Sequence, residues 1–184
     1  VLYGAARAAS FIRRVPAGEV INGRKYDFDG ALILEIHDRV YMAPGVKGGL
    51  RETSSTTVGG EQAGSHLDLH HKLNLYGRWL GEQVDQMRGD PENIVLALET
   101  AAGAHYGLTR PEFHPFDNGN GRTARALVNL ILMTQSYELT ALGIAVPPLP
   151  IIRSSLPESD RYLRALRAVG DTRTLNPLMS YLAY

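Results

Sequence analysis

The chain has 184 residues, enough for one domain with a real core, and its 19 Lys+Arg balance 19 Asp+Glu. With no net charge and a pI near 7.2 it carries no electrostatic footprint for nucleic acid or an anionic membrane surface. It has no cysteine, which excludes disulfides, thiol catalysis and zinc–thiolate sites.

In chain order, Leu2 to Arg14 is alanine-rich with Phe11 and Ile12 and reads as a helix, broken by Pro16 and Gly18. Val20 to Phe28 is short and polar and reads as loop. Asp29 caps a helix from Gly30 to about Met42 with Leu32, Ile36 and Val40 on one face. His37 lies near that face and reads as a partly buried structural residue. Pro44 to Gly64 has no helical period and is dense in Gly, Ser and Thr. Within it, Leu50 to Val58 carries a β-leaning run between two glycine pairs, either a hairpin or an irregular surface loop.

From His66 to Met87 the residues Leu69, Leu73, Tyr76, Leu80, Val84 and Met87 form a helical stripe bordered by Trp79. His66 and His70 share a helix face, but no Glu follows His66 as a His-Glu-x-x-His zinc site requires, so they are not taken as metal ligands. Asp90-Pro91 opens the next helix, with Asp as N-cap and Pro in the first position. It runs to about Leu108 with Ile94, Leu98, Ala101 and His105 on its face, and its alanines admit a close neighbour.

Next comes His-Pro-Phe-Asp-Asn-Gly-Asn-Gly-Arg-Thr-Ala-Arg, His114 to Arg125, directly ahead of a strongly apolar run. Glycines opening a helix leave backbone N–H groups uncovered, and the helix dipole adds roughly half a positive charge there. Arg122 and Arg125, three apart, share one face and can fork onto phosphate oxygens. His114 is the nearby group able to move a proton near neutral pH. An EF-hand fails because Gly119 sits where an oxygen ligand belongs, and a Walker loop fails because no Gly-Lys-Ser/Thr follows. These residue types make a phosphate cradle with a general base at its rim. Thr123 to about Ser136 is apolar nearly all round, as expected of a central bundle helix. Ser155-Leu156-Pro157-Glu158 reads as a capping box opening a helix that closes at Gly170, and Asn176-Pro177 starts a last short one.

The segment His114–Arg125 resembles the signature of the Fic domain family. The resemblance implies an all-α helical bundle with a small β-hairpin flap, spanning 1–184 with its core at about 29–184 and a helix and loop over 1–28. It also implies transfer of AMP from ATP to a Ser, Thr or Tyr hydroxyl of a target protein. On that basis His114 is the base, and Phe116 anchors the loop. Gly119, Asn120 and Gly121 form the anion hole, and Arg122 and Arg125 neutralise the phosphates. Leu50, Arg51, Thr57 and Val58 belong to a flap that docks the target by strand addition. His105 is a supporting residue, and Tyr162 lies in the region beside the adenine pocket.

One position departs from the signature: Asn118 stands where the family carries an Asp or Glu ligand for Mg²⁺ (or Mn²⁺). An amide oxygen contributes no charge, so metal affinity falls. Two alternatives stay open, a weakened or inactive nucleotide-binding module, and a relative that transfers another phosphate-containing group. No full match to the family's inhibitory-helix pattern occurs, since Thr57…Glu61 is followed by Gln62 and Ser154…Glu158 by Ser159. Inhibition is therefore expected from a missing helix or an antitoxin-like partner. The chain starts at Val1 without methionine, the expectation for a fragment of a longer protein. No signal pattern or bilayer-length apolar run is present, so a cytoplasmic protein is expected, with secretion as an effector left open.

Overall fold

The computed structural model describes residues 2–16, 18, 25–41, 49–58, 60–144 and 156–182, and for 2–7, 156–160 and 163 the backbone alone. Among these are seven helices and a two-stranded hairpin: α1 (Leu2–Arg14), α2 (Gly30–Tyr41), β1 (Thr57–Val58), β2 (Glu61–Gln62), α3 (Leu69–Gly89), α4 (Ile94–Thr109), α5 (Asn120–Ala141), α6 (Leu156–Thr172) and α7 (Asn176–Leu182). The fold is mostly helical, as the residue pattern predicts. No helix among the described residues is long and apolar enough to cross a membrane.

α5 is the central element, packed against α1, α2, α3 and α4. Its sequence explains this: Ala124, Leu127, Val128, Leu130 and Ile131 are wholly buried and lie on several sides of the helix. A helix without a wet face has to be surrounded. α2 enters the bundle through its N-cap, Asp29, whose Oδ1 accepts from the Leu32 N–H at 2.8 Å. It buries Leu32, Ile33, Ile36 and His37.

Several expectations shift. α4 begins at Ile94, not at Asp90, because Asn93 supplies the cap by accepting from the Leu96 N–H at 3.1 Å. The Asp90 carboxylate accepts from Asn93 Nδ2 at 3.2 Å, not from a helix amide, and the Asp90 N–H closes the end of α3 on Gln86 O and Met87 O. The buried face of α4 is Ala97, Ala101, Ala104, His105 and Leu108, while Ile94 is half exposed. Packing of small residues against α5 decided the face, against the larger apolar side chains. α5 starts at Asn120, where the glycines are expected to open it, and runs past the expected Ser136 to Ala141. α6 continues through Gly170 to Thr172, and the turn after it uses a positive φ at Arg173. The expected cap at Ser155 lies outside the described residues.

The hairpin is also relocated. It occupies Thr57 to Gln62, with Thr57 opposite Gln62 and Val58 opposite Glu61. The expected Leu50–Val58 span supplies its first strand only, and Gly60, at φ +96°, lies in the turn. Residues 50–56 are irregular.

Candidate active site

The motif lies where three elements meet: the end of α4, the base of the hairpin and the start of α5. The Phe116 ring is fully buried and stacks on the His37 imidazole of α2, centroids 3.7 Å apart and 9° between planes. The Nε2 of His37 lies 3.0 Å from the Asn118 carbonyl, an acceptor, so that nitrogen carries the hydrogen. Burial pushes the His37 pKa below its ordinary value and keeps the ring neutral in this contact. The Asn120 side chain closes the loop from the other side. Its Oδ1 accepts from the Phe116 N–H at 3.0 Å and its Nδ2 donates to the Phe116 carbonyl at 2.7 Å. Asn120 is thus buried, and what it presents outward is backbone.

Gly119 is the N-cap of α5 at φ +84°. A Cβ there would also sit 3.1 Å from the Tyr41 ring, so both conformation and space call for glycine. The Gly119 N–H is taken by Asn118 Oδ1 at 2.7 Å. The N–H groups of Asn120, Gly121 and Arg122 form the open first turn, which has no carbonyl one turn earlier to bond. Arg122 lies over the Tyr41 ring, 4.9 Å from its centroid, and Arg125 over Tyr162 at 5.7 Å. The helix start, two guanidiniums and the rings of Tyr41 and Tyr162 therefore share one region.

His114 stands at its edge. The backbone there is strained, at φ +31°, a conformation costing about 1–3 kcal/mol for a side-chain-bearing residue. It is held by its N–H donating to the Arg110 carbonyl at 3.1 Å and its carbonyl accepting from Arg51 Nε at 2.9 Å. The Nδ1 faces the Thr109 carbonyl at 3.3 Å, which sets the proton on Nδ1 and leaves the Nε2 lone pair open. Burial foremost, then the positive charge of Arg51, lowers the His114 pKa, and the Thr109 contact partly offsets them. The result is an imidazole in its base form at neutral pH.

His105 backs the site from α4. It is buried, its Nε2 lies 3.0 Å from the Tyr162 hydroxyl, and burial with the charge of Arg125 pulls its pKa down to about 3. It is a neutral hydrogen-bonding support.

Of the expected flap residues, Thr57 and Val58 are in the hairpin and Leu50 leads toward it. Arg51 requires correction: only 2 % of it is exposed, so its side chain is directed inward to backbone carbonyls. Since Val58 faces Glu61 across the turn and the Ala63 N–H bonds the Thr56 carbonyl, the alternation of an antiparallel ladder turns the Thr57 N–H and C=O outward. That is an open strand edge.

Asn118 is exposed, and its amide oxygen is occupied by the Gly119 N–H and, weakly, by Arg122 Nη2 at 3.5 Å. Among the described residues no three His, Cys, Asp or Glu side chains converge as metal ligands. This donor set does not fit a cation held by the protein itself. His66, not taken as a metal ligand in the sequence reading, is bonded through Nδ1 to Ser54 Oγ at 2.9 Å. A separate cavity of about 450 Å³ between α3 and α4, lined by Tyr76, Trp79, Tyr106 and Phe113, includes no residue of His114–Arg125.

Sequence reading missed the parts played by Arg51 and by the Asn120 side chain, whereas His37 is the structural residue expected. A lone arginine in a Ser/Thr-rich loop gives no local signal of burial.

The chain is similar to known proteins of one family. Residues 27–132 match the model of the Fic/DOC family. A protein adenylyltransferase Fic from Nematostella vectensis is 37 % identical over 106 residues, 57 % of this chain and 23 % of that protein. One of the same name from Drosophila grimshawi is 31 % identical over 153 residues, 82 % of this chain and 27 % of that protein. The chain thus spans about a quarter of the length of these relatives. The crystal structure of a Fic domain containing signaling protein from Bacteroides thetaiotaomicron superposes with a TM-score of 0.64 at 21 % identity, over 99 % of this chain and 66 % of that one. With the family model matched over 27–132, more than half of its length, the chain belongs to the Fic/DOC family.

Proposed function

We propose that this chain transfers AMP from ATP to a hydroxyl side chain of a protein, with His114 as general base. The observation that carries the reading is the pairing of a neutral imidazole, its Nε2 lone pair open, with a helix start whose Asn120, Gly121 and Arg122 N–H groups are uncovered. Such donors need no reorganisation when charge develops on a phosphate.

In this mechanism the triphosphate lies over the first turn of α5, its charge met by the three amides, Arg122 and Arg125. A target segment adds as a strand to the outward edge of Thr57, which brings a Ser, Thr or Tyr hydroxyl toward His114. The hydroxyl gives its proton to Nε2 as its oxygen attacks the α-phosphorus. The bond from that phosphorus to the bridging oxygen breaks, and pyrophosphate leaves. A base in this role contributes about 10²–10⁴ in rate. Because Asn118 provides neither charge nor a free carboxylate, the arginines and amides carry the phosphate charge on the protein's side. A divalent ion, if used, arrives with ATP.

The occupied amide of Asn118 favours a second reading, a module that binds nucleotide without transferring it. The two readings separate on incubation with α-labelled ATP and a cell lysate, at several Mg²⁺ and Mn²⁺ concentrations, beside calorimetric ATP binding. Label in protein that disappears with His114→Ala supports transfer. Binding without label at any metal concentration supports the module.

A further inference from the structure

We propose that Arg51 is a positioning residue, whose buried guanidinium fixes the hairpin edge in space relative to the His114 imidazole. A buried charge is costly unless well partnered, and an apolar side chain would fill the same volume at less cost. The partners of Arg51 are backbone carbonyls from three different segments. Nε donates to His114 O at 2.9 Å, Nη1 to Thr53 O at 2.7 Å on the way into the hairpin, and Nη2 to Gly64 O on the way out.

Two backbone bonds complete the strap. The Arg51 N–H donates to Pro115 O and the Gly64 N–H to Pro111 O, both at 2.9 Å. Gly64 lies so close to the Glu112 backbone that no Cβ fits between them. Both legs of the hairpin are therefore sewn to the segment 111–115 that carries His114, and one side chain reaches both legs and the histidine. The rigid fork of arginine can span three acceptors; a lysine ammonium is a point charge and cannot hold them in the same plane.

The same side chain acts on His114 in two separable ways. It restrains the strained His114 backbone through the carbonyl, and its charge opposes protonation of the ring. The charged group that acts on this imidazole is Arg51, with Asp117 in turn acting on Arg51.

This inference rests on the transferase reading for its rate consequence, but not for its structural one. The test uses Arg51→Gln and Arg51→Lys in four measurements: amide exchange of Ala63 and Gly64, whose N–H groups bond Thr56 O and Pro111 O, NMR titration of His114, calorimetric ATP binding, and self-labelling with α-labelled ATP. Both variants are expected to speed exchange at these amides about tenfold or more, the loss of at least one charge-assisted hydrogen bond. ATP binding should stay within about twofold, because Arg51 touches no part of the α5 turn. Arg51→Gln should raise the His114 titration midpoint, and with it the acid limb of labelling, whereas Arg51→Lys keeps both in place. Labelling should fall in both variants through kcat.

Unchanged exchange in Arg51→Lys would mean that the fork is dispensable and would overturn the proposal. So would loss of ATP binding in step with labelling, the mark of general unfolding. If Arg51→Gln does not fold, the lysine variant decides by its exchange rates. If wild-type protein labels nothing, the transferase reading fails, while exchange and titration still judge Arg51.

Discussion

The motif loop, residues 114–119, and the hairpin, residues 57–62, are both short irregular excursions from a helical bundle, yet they are built to opposite specifications. The loop is fixed from every side: a stacked histidine, a buried asparagine ring-closure and a buried arginine consume its polar groups. The hairpin has two residue pairs, mostly exposed, and leaves the Thr57 edge unpaired. Rigid geometry belongs where a proton and a phosphate must meet within hydrogen-bond distance. An open edge belongs where partners of differing sequence must be accepted through their backbones. Arg51 joins the two.

The comparison breaks most visibly at His114. His114→Ala should lower transfer by about 10²–10⁴-fold and leave ATP affinity within about twofold, read by label incorporation and calorimetry. Undiminished labelling would remove the base from the mechanism. Next in size is Phe116→Ala, which deletes a fully buried ring stacked on His37. Denaturant unfolding should show a loss of about 3–5 kcal/mol. A loss under about 1 kcal/mol would mean the loop is not anchored there.

Acid should loosen the loop side before the hairpin. The folded pKa of His105, about 3, lies below its unfolded value near 6.5, and that of His37 is lowered as well. Stability is therefore complete above pH 6.5 and falls as pH drops from there toward about 3, because only the unfolded state takes up the protons. A melting temperature flat from pH 7 to 4 would contradict the neutral, buried assignment of both rings.

Thr57→Pro removes an outward donor without touching the Thr56–Ala63 bond. It should cut protein labelling by roughly tenfold, about the worth of one backbone hydrogen bond, with ATP binding unchanged. Equal loss of both would make the hairpin structural and erase the contrast. The smallest effect is expected from Asn118→Asp, which supplies a carboxylate for a hard cation beside the arginines. Labelling at limiting Mg²⁺ should rise a few-fold and converge with wild type at saturation, since Mg²⁺ affinity follows ligand charge. No change at any Mg²⁺ concentration would show that this position does not face a cation.

Sequence by itself determined what is contiguous. The helical class, the central place of the helix after the motif and the uncovered turn at its start all follow from periodicity and glycine placement within about twenty residues. A glycine with positive φ, two arginines on one face and an all-round apolar run state their roles locally. Tertiary structure decided the rest. It turned α4 so that alanines, not Ile94, meet α5, and moved that helix's start because the Asn93 side chain reaches the Leu96 N–H while the Asp90 carboxylate accepts from Asn93 Nδ2. Glycine pairs marked the hairpin region, but strand pairing decided the register of the hairpin. The contacts that aim the histidine join residues 63 and 81 positions apart, Arg51 to His114 and His37 to Asn118. Nothing local distinguishes that arginine from an exposed one, since its partners are backbone carbonyls that every residue carries. Their positions exist only once the helices have packed.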